Sequence, residues 1–189
     1  MPPKARITRE DITATALTLV REKGESAINA RAIANALQCS TQPIFSNFET
    51  MEKLREALIY AAYECYCGFL KSETESGKYP PYKAFGMAYI RFAREEKELF
   101  RLLFMRDRSG EDTSALAPDF EESVRMLMQA NGISEESARL MHLEMWTAVH
   151  GIATMTATSF LDLDDNLISD MLSDIYQGIR ARIIREEKQ

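Results

Sequence analysis

The chain has 189 residues, 46% of them hydrophobic, and a net charge of −6. This is one or two domains' worth of chain with enough apolar content for a sizeable core, which excludes a disordered protein. No stretch reaches the ~18 apolar residues of a membrane helix, the first ten residues lack the apolar core of a signal peptide, and three cysteines at 39, 65 and 67 have no framework spacing, so a reducing cytoplasm is expected and no membrane partner.

Thr8 followed by Asp11 predicts a capping-box start for a first helix, whose stripe of Ile12, Ala16, Leu19 and Val20 stops at Gly24. Asn29 is the N-cap of a second helix of about two turns, with Ile33, Ala34 and Leu37 at helical spacing. Gln38 and Cys39 make the break, and Ser40 is expected to cap a third helix with Pro43 at its third position, inside the first turn where backbone N–H groups lack partners. Ile44, Phe45 and Phe48 are expected to anchor that helix inward, leaving Thr41, Gln42, Ser46 and Asn47 facing out. A short helix, a tight turn and a second short helix is how a protein offers a helix to the major groove of DNA. Thr50 then caps a fourth helix with Leu54, Leu58, Ala61, Ala62, Cys65 and Phe69 on one face. Residues 1–55 carry eight Lys/Arg against six Asp/Glu, net +2, and the rest fifteen against twenty-three, net −8; the asymmetry favours DNA contact at the head, though modestly.

Residues 8 to 58 resemble the DNA-binding head of the TetR family of bacterial transcription regulators. Gly24, Arg31, Ile33, Ala34, Ser40, Phe48, Glu52 and Leu54 stand in register with the family's pattern of Gly, Arg-x-Ile-Ala-x-x-x-Gly-Val-Ser, Leu-Tyr-x-His-Phe and Lys-Glu-x-Leu. This chain departs from it at the turn glycine (Gln38), the tyrosine (Phe45), the histidine (Asn47) and the lysine (Met51). The last three usually donate to DNA phosphates; Phe45 and Met51 cannot and Asn47 can, so the resemblance implies fewer phosphate contacts and weaker operator binding. DNA contact is expected from Arg31, Thr41, Gln42, Pro43, Phe45, Ser46, Asn47 and Thr50, with the Gln42 amide suited to an adenine edge.

The fourth helix is expected to run to about Gly77, before Pro80-Pro81. A fifth begins at Pro81 with Phe85, Ala88, Tyr89 and Phe92 on one face, and a short sixth carries Leu99, Phe100, Leu102, Leu103 and Phe104. Asp107 to Ala117 reads as a loop, Pro118 opens a seventh helix ending near Asn131-Gly132, and Ser134 opens an eighth, apolar on nearly all sides from Leu140 to Leu161 and so expected to be central. Asp164 or Asp165 starts a ninth, with Ile168, Met171, Leu172, Ile175 and Ile179 as its stripe and Arg180, Arg182 and Arg185 near its end. The expected fold is all-α, about nine helices: a helix-turn-helix domain over 1–50, joined by the long fourth helix to a ligand-binding and dimerisation domain over 51–189.

Residues 144–151, EMWTAVHG, resemble the Trp-His-Gly motif of one C-terminal domain type of the family. His142, Trp146 and His150 lie four residues apart in succession and form one row on the eighth helix. Two readings stay open. The row is core, with His150 bonded to a neighbouring helix and Trp146 filling volume beside Gly151; or its Trp146–His150 face lines a pocket for an apolar or aromatic effector, completed by Tyr63, Tyr66 and Tyr89. Met126, Met128, Met141, Met145 and Met155 suit an adaptable apolar pocket or plain packing equally. The two histidines have no partner ligand at metal spacing, neither has Glu three residues before it, and no phosphate loop or nucleophile elbow occurs, so no metal, cofactor or enzymatic activity is expected.

The expectation is thus a ligand-responsive transcription regulator, a repressor by analogy with the family, that binds a palindromic operator in double-stranded DNA. The homodimer is expected through the last two helices, whose apolar surface exceeds what one bundle face buries and which carry the small-residue run over 151–159. The rival reading is a small-molecule or protein-binding helical module with a weak or silent head.

Overall fold

Thr8 accepts from the Asp11 N–H at 3.1 Å while the Asp11 carboxylate accepts from the Thr8 N–H at 2.9 Å, the reciprocal capping box that the spacing predicts. In this computed structural model, which describes residues 7–107 and 118–187, helix α1 then runs Arg9–Lys23 and ends at Gly24, φ 77°. α2 (Ala30–Ala36) opens at Asn29, whose side chain accepts from the Ala32 N–H at 2.9 Å. α3 is Gln42–Phe48, and α4 is Met51–Glu75, with Thr50 accepting from the Lys53 N–H at 3.3 Å. α5 (Pro81–Glu95), α6 (Lys97–Phe104), α7 (Pro118–Asn131), α8 (Glu135–Ala157) and α9 (Asp165–Glu186) follow, and no strand occurs among the described residues. Beyond Asp107 the expected loop lies outside the described residues.

The chain gathers into two units. The first comprises the residues up to Cys67 with Glu96–Arg106; the second comprises Gly68–Glu95 with the residues from Asp107 onward. α4 is the one helix here whose residues belong to both. In the first unit Ile12, Ala16, Val20, Ile33, Ile44, Phe48, Leu54, Leu58, Leu99 and Phe100 are buried, and α1 packs on α2, α3 and α6. Arg21 grips Glu96 at 2.8 Å, which ties α1 to the residue just ahead of α6, and its Nη2 lies 3.4 Å from Cys65 Sγ. In the second unit α8 packs on α5, α7 and α9. A Cβ added at Gly86 would sit 3.2 Å from Val149 Cγ2 and 3.7 Å from Leu172 Cδ1, so that position of α5 admits little beyond hydrogen. Met141 and Met145 are core.

Four local expectations need correction. Ser40 does not cap α3: the N-cap is Thr41, whose backbone is already helical (φ −73°, ψ −13°), and no side chain caps it, because a capping hydroxyl needs extended backbone to reach forward. α3 therefore starts at Gln42, with Pro43 at its second position. Phe45 does not anchor inward but is 45% exposed. On a seven-residue helix Ile44 and Phe48, four apart, fill the one buried stripe, and Phe45 lies about a hundred degrees round from Ile44. α8 ends at Ala157 rather than Leu161 and is not buried on all sides, since Leu140, Leu143 and Trp146 are exposed on it.

The turn between α2 and α3 stores strain. Cys39 N–H donates to Ala34 O at 2.9 Å and Gln38 N–H to Asn35 O at 3.1 Å, the pair of bonds that closes a Schellman motif, and it requires left-handed backbone at Gln38, φ 52°. A side chain there costs ~1–2 kcal/mol, against ~0.4–1 kcal/mol for glycine's extra freedom when unfolded. Gln38→Gly should therefore raise stability by roughly 0.5–1 kcal/mol; a urea melt in which the variant is no more stable than the parent contradicts this account of the turn.

Candidate nucleic-acid interface and aromatic-histidine cluster

α3 owes its position to what it buries. Ile44 and Phe48 are each 1% exposed, and the Arg9 guanidinium lies 4.0 Å from the Phe48 ring centroid while its Nη1 donates to Asn47 O at 3.0 Å. The Asn47 amide is spent locally as well, donating to Pro43 O at 2.7 Å and to Ile7 O at 3.5 Å. This corrects the expectation that Asn47 faces outward as a free donor: it is half-buried and fastens the start of α1 to the end of α3. Ser46 donates back to Gln42 O at 2.9 Å, leaving only its acceptor lone pairs for a ligand. Thr41 and Pro43 are half-buried; Gln42, Phe45 and Ser46 are exposed on α3, and Arg31 is exposed on the first turn of α2 without an ion pair among the described residues. Thr50 is exposed and caps α4. Sequence spacing could not reveal Arg9, because its role is a contact across 38 residues.

Of the residues expected to form a ligand site, two groups are brought together. In the first unit Tyr63 and Tyr66 are buried with ring centroids 5.9 Å apart, and Tyr66 meets the edge of Phe104 at 5.5 Å. In the second, Tyr89 on α5 is hydrogen-bonded through its hydroxyl to His150 Nδ1 at 2.9 Å, and Trp146 stacks on the His150 ring at 5.1 Å. His150 thus does bond a neighbouring helix. Trp146, however, fills no core volume: it is 46% exposed, and a Cβ on Gly151 would meet nothing within 4 Å. A second pair escaped the sequence reading although its spacing was visible, Tyr82 standing seven residues before Tyr89 and His142 eight before His150. Tyr82 hydroxyl and His142 Nδ1 are 3.0 Å apart, with the Phe120 ring edge-on to His142 at 4.7 Å. A separate polar cleft of about 630 Å³ is lined by Arg94, Leu163 and the acidic turn Asp162 to Asn166, and Arg94 fills its charge need by bonding Asp165 at 2.6 Å and Leu163 O at 2.9 Å.

With this geometry in view, the likeness to known proteins is specific. Residues 82–174 match the tetracyclin repressor-like C-terminal domain. The chain belongs to the TetR family. An HTH-type transcriptional regulator of Mycobacterium tuberculosis is 23% identical over 184 residues, covering 94% of this chain and 84% of that one. Among solved structures, a Rhodococcus protein with unknown function superposes with a TM-score of 0.74 at 20% identity, over 97% of this chain and 99% of that one. The Streptomyces coelicolor TetR family protein ActR, solved in complex with (S)-DNPA, does so with a TM-score of 0.57 at 16% identity, over 94% and 99%. At these identities the structural matches establish the fold of this TetR-family chain. No helix among the described residues is long and apolar enough to cross a membrane.

Burial pushes both histidines below their ordinary value, His142 to about 4. The folded chain therefore keeps His142 neutral where the unfolded chain, titrating near 6.5, takes up a proton. Stability should fall as pH drops through about 6.5 and keep falling to about 4, by on the order of 2 kcal/mol once partial solvent screening is allowed for. Urea melts between pH 7 and 4.5 measure this slope, and His142→Gln should flatten it; an unchanged slope would place the acid sensitivity elsewhere.

Proposed function

We propose that this chain is a dimeric, effector-responsive transcription regulator, a repressor that holds a palindromic operator in the cytoplasm and releases it when a small apolar or aromatic molecule binds. The observation that carries the reading is α3: a seven-residue helix pinned by Ile44 and Phe48 that turns Gln42, Phe45 and Ser46 to solvent. Among the described residues no hydrogen bond or ion pair of those exposed side chains holds the head together, save the inward bond of the Ser46 hydroxyl. A helix presented in this way fits the major groove, with two heads meeting half-sites about one helical turn, ~34 Å, apart or somewhat further.

The dimer seam proposed on α8 and α9 is supported by exposed Leu140, Leu143, Trp146 and Leu167, which water disfavours. The effector is proposed to bind in the second unit near Tyr89 and His150, and ActR's complex with (S)-DNPA supports a small molecule as the ligand class. α4 then carries the signal, since it starts at the head and ends in the second unit. Such coupling is typically ~1–3 kcal/mol and reciprocal, so operator DNA weakens effector binding by the same factor.

Selection from random duplex DNA should return an inverted repeat, and Gln42→Ala should cost ~1–3 kcal/mol at one base pair of each half-site; an unaltered preference removes Gln42 from base reading. Leu143→Glu, 52% exposed in the single chain and so harmless to its fold, should give a monomer by light scattering and abolish binding to the repeat. A variant that stays dimeric rules out this face as the seam.

A further inference from the structure

Phe45 is 45% exposed in the middle of α3, while Ile44 and Phe48 on the same helix are each 1% exposed and prevent α3 from rolling to bury it. Its ring has no donor or acceptor, so it cannot bond a phosphate or the polar edge of a base. Bases within an intact duplex are stacked and offer no face to a ring that stays in the groove. The one apolar group that the major groove presents is the C5 methyl of thymine. The neighbours on α3 leave this task to Phe45: the Ser46 hydroxyl donates inward to Gln42 O, and the Asn47 amide is committed to Pro43 O and Ile7 O. Gln42, three residues before Phe45, is exposed as well, and its amide has no hydrogen-bond partner among the described residues. Residues so spaced have Cβ atoms about 5–6 Å apart, against about 3.4 Å between successive base pairs.

We infer that Phe45 is a specificity-determining residue that reads a thymine methyl group in each half-site, one or two base pairs from the base that Gln42 contacts. The inference rests on the proposed function and deepens it: loss of the family's tyrosine hydroxyl exchanges a phosphate contact for a base contact.

Uracil differs from thymine only by that methyl group. Selection is run on random duplex pools copied with thymine and, in parallel, with uracil. The thymine pool should enrich a thymine at one position per half-site, and the uracil pool should lose that preference alone. Duplexes of the selected site carrying uracil there should bind the full-length dimer about fourfold more weakly, which is what one methyl group removed from water contributes. Phe45→Ala should bind thymine and uracil duplexes equally and melt like the parent. If both pools yield the same site with equal affinity, or if Phe45→Ala keeps the thymine preference, the inference is overturned while the regulator reading stands. If neither pool enriches a sequence, the regulator reading itself falls and takes this inference with it.

Discussion

A helix of seven residues with proline in its first turn has no stability of its own, because nucleation costs more than so few hydrogen bonds return. α3 exists because Ile44 and Phe48 are buried against the rest of the head, a contribution of roughly 1.5–3 kcal/mol each. Everything functional about the head depends on that pair of anchors. They set the roll of the helix, and the roll decides that Gln42 and Phe45 face solvent. The Arg9 cation over Phe48 and the bond from Asn47 to Ile7 O then hold the tip of α1 against the end of α3. The Asn47 amide, at a position that the family pattern would assign to DNA, is here consumed in holding α3 still.

The second unit relies on side-chain hydrogen bonds between helices, and not on apolar packing alone. Asn131, the last residue of α7, donates to Leu127 O and Tyr176 hydroxyl and accepts from Arg180 Nε at 2.7 Å, so one amide fastens α7 to α9. Around it Val124, Leu127, Ile133, Ala138, Met141 and Ile183 form a buried cluster. Arg91 bonds nearly buried Glu73 at 2.6 Å and leans over Phe69, which holds the last turns of α4 to α5. A carboxylate so enclosed is tolerable only because the guanidinium faces it.

Much of this was legible in the sequence because it is local chemistry. Thr8, Asn29, Thr50, Ser134 and Asp164 cap helices within three residues of themselves, and capping is a short-range bond that spacing reveals. Apolar stripes gave the buried face of α1 for the same reason and that of α9 in part, where Ile168 and Leu172 are buried, Met171, Ile175 and Ile179 are half-buried, and Ile183 is buried beyond the expected stripe. What escaped was decided by tertiary competition. Phe45 and Ile44 are equally apolar, and only the width of the contact made by so short a helix determines which is enclosed. Asn47 reads as a donor for DNA until Ile7 O and Pro43 O are seen to occupy it. α6, reached after four intervening α-helices, packs on α1, and the Arg21–Glu96 pair beside it spans 75 residues, beyond the reach of any periodicity. Trp146 sits on an apolar helix, yet its face is turned from that helix's partners.

The two tyrosine–histidine bonds also act as a vernier. α5 repeats its tyrosine after seven residues, about 10.5 Å of rise, and α8 its histidine after eight, about 12 Å, and both pairs close at 3.0 and 2.9 Å with the helices running in the same sense. Sliding α8 by one turn would bring Ala138 and Trp146, or Trp146 and Thr154, to the tyrosine hydroxyls in place of the two imidazoles, and neither choice restores both bonds. The mismatch of the two repeats leaves a single alignment in which both are made. A slide of α8 along α5 by one turn would therefore cost at least one of the two bonds, whereas a displacement of the two helices together would keep both.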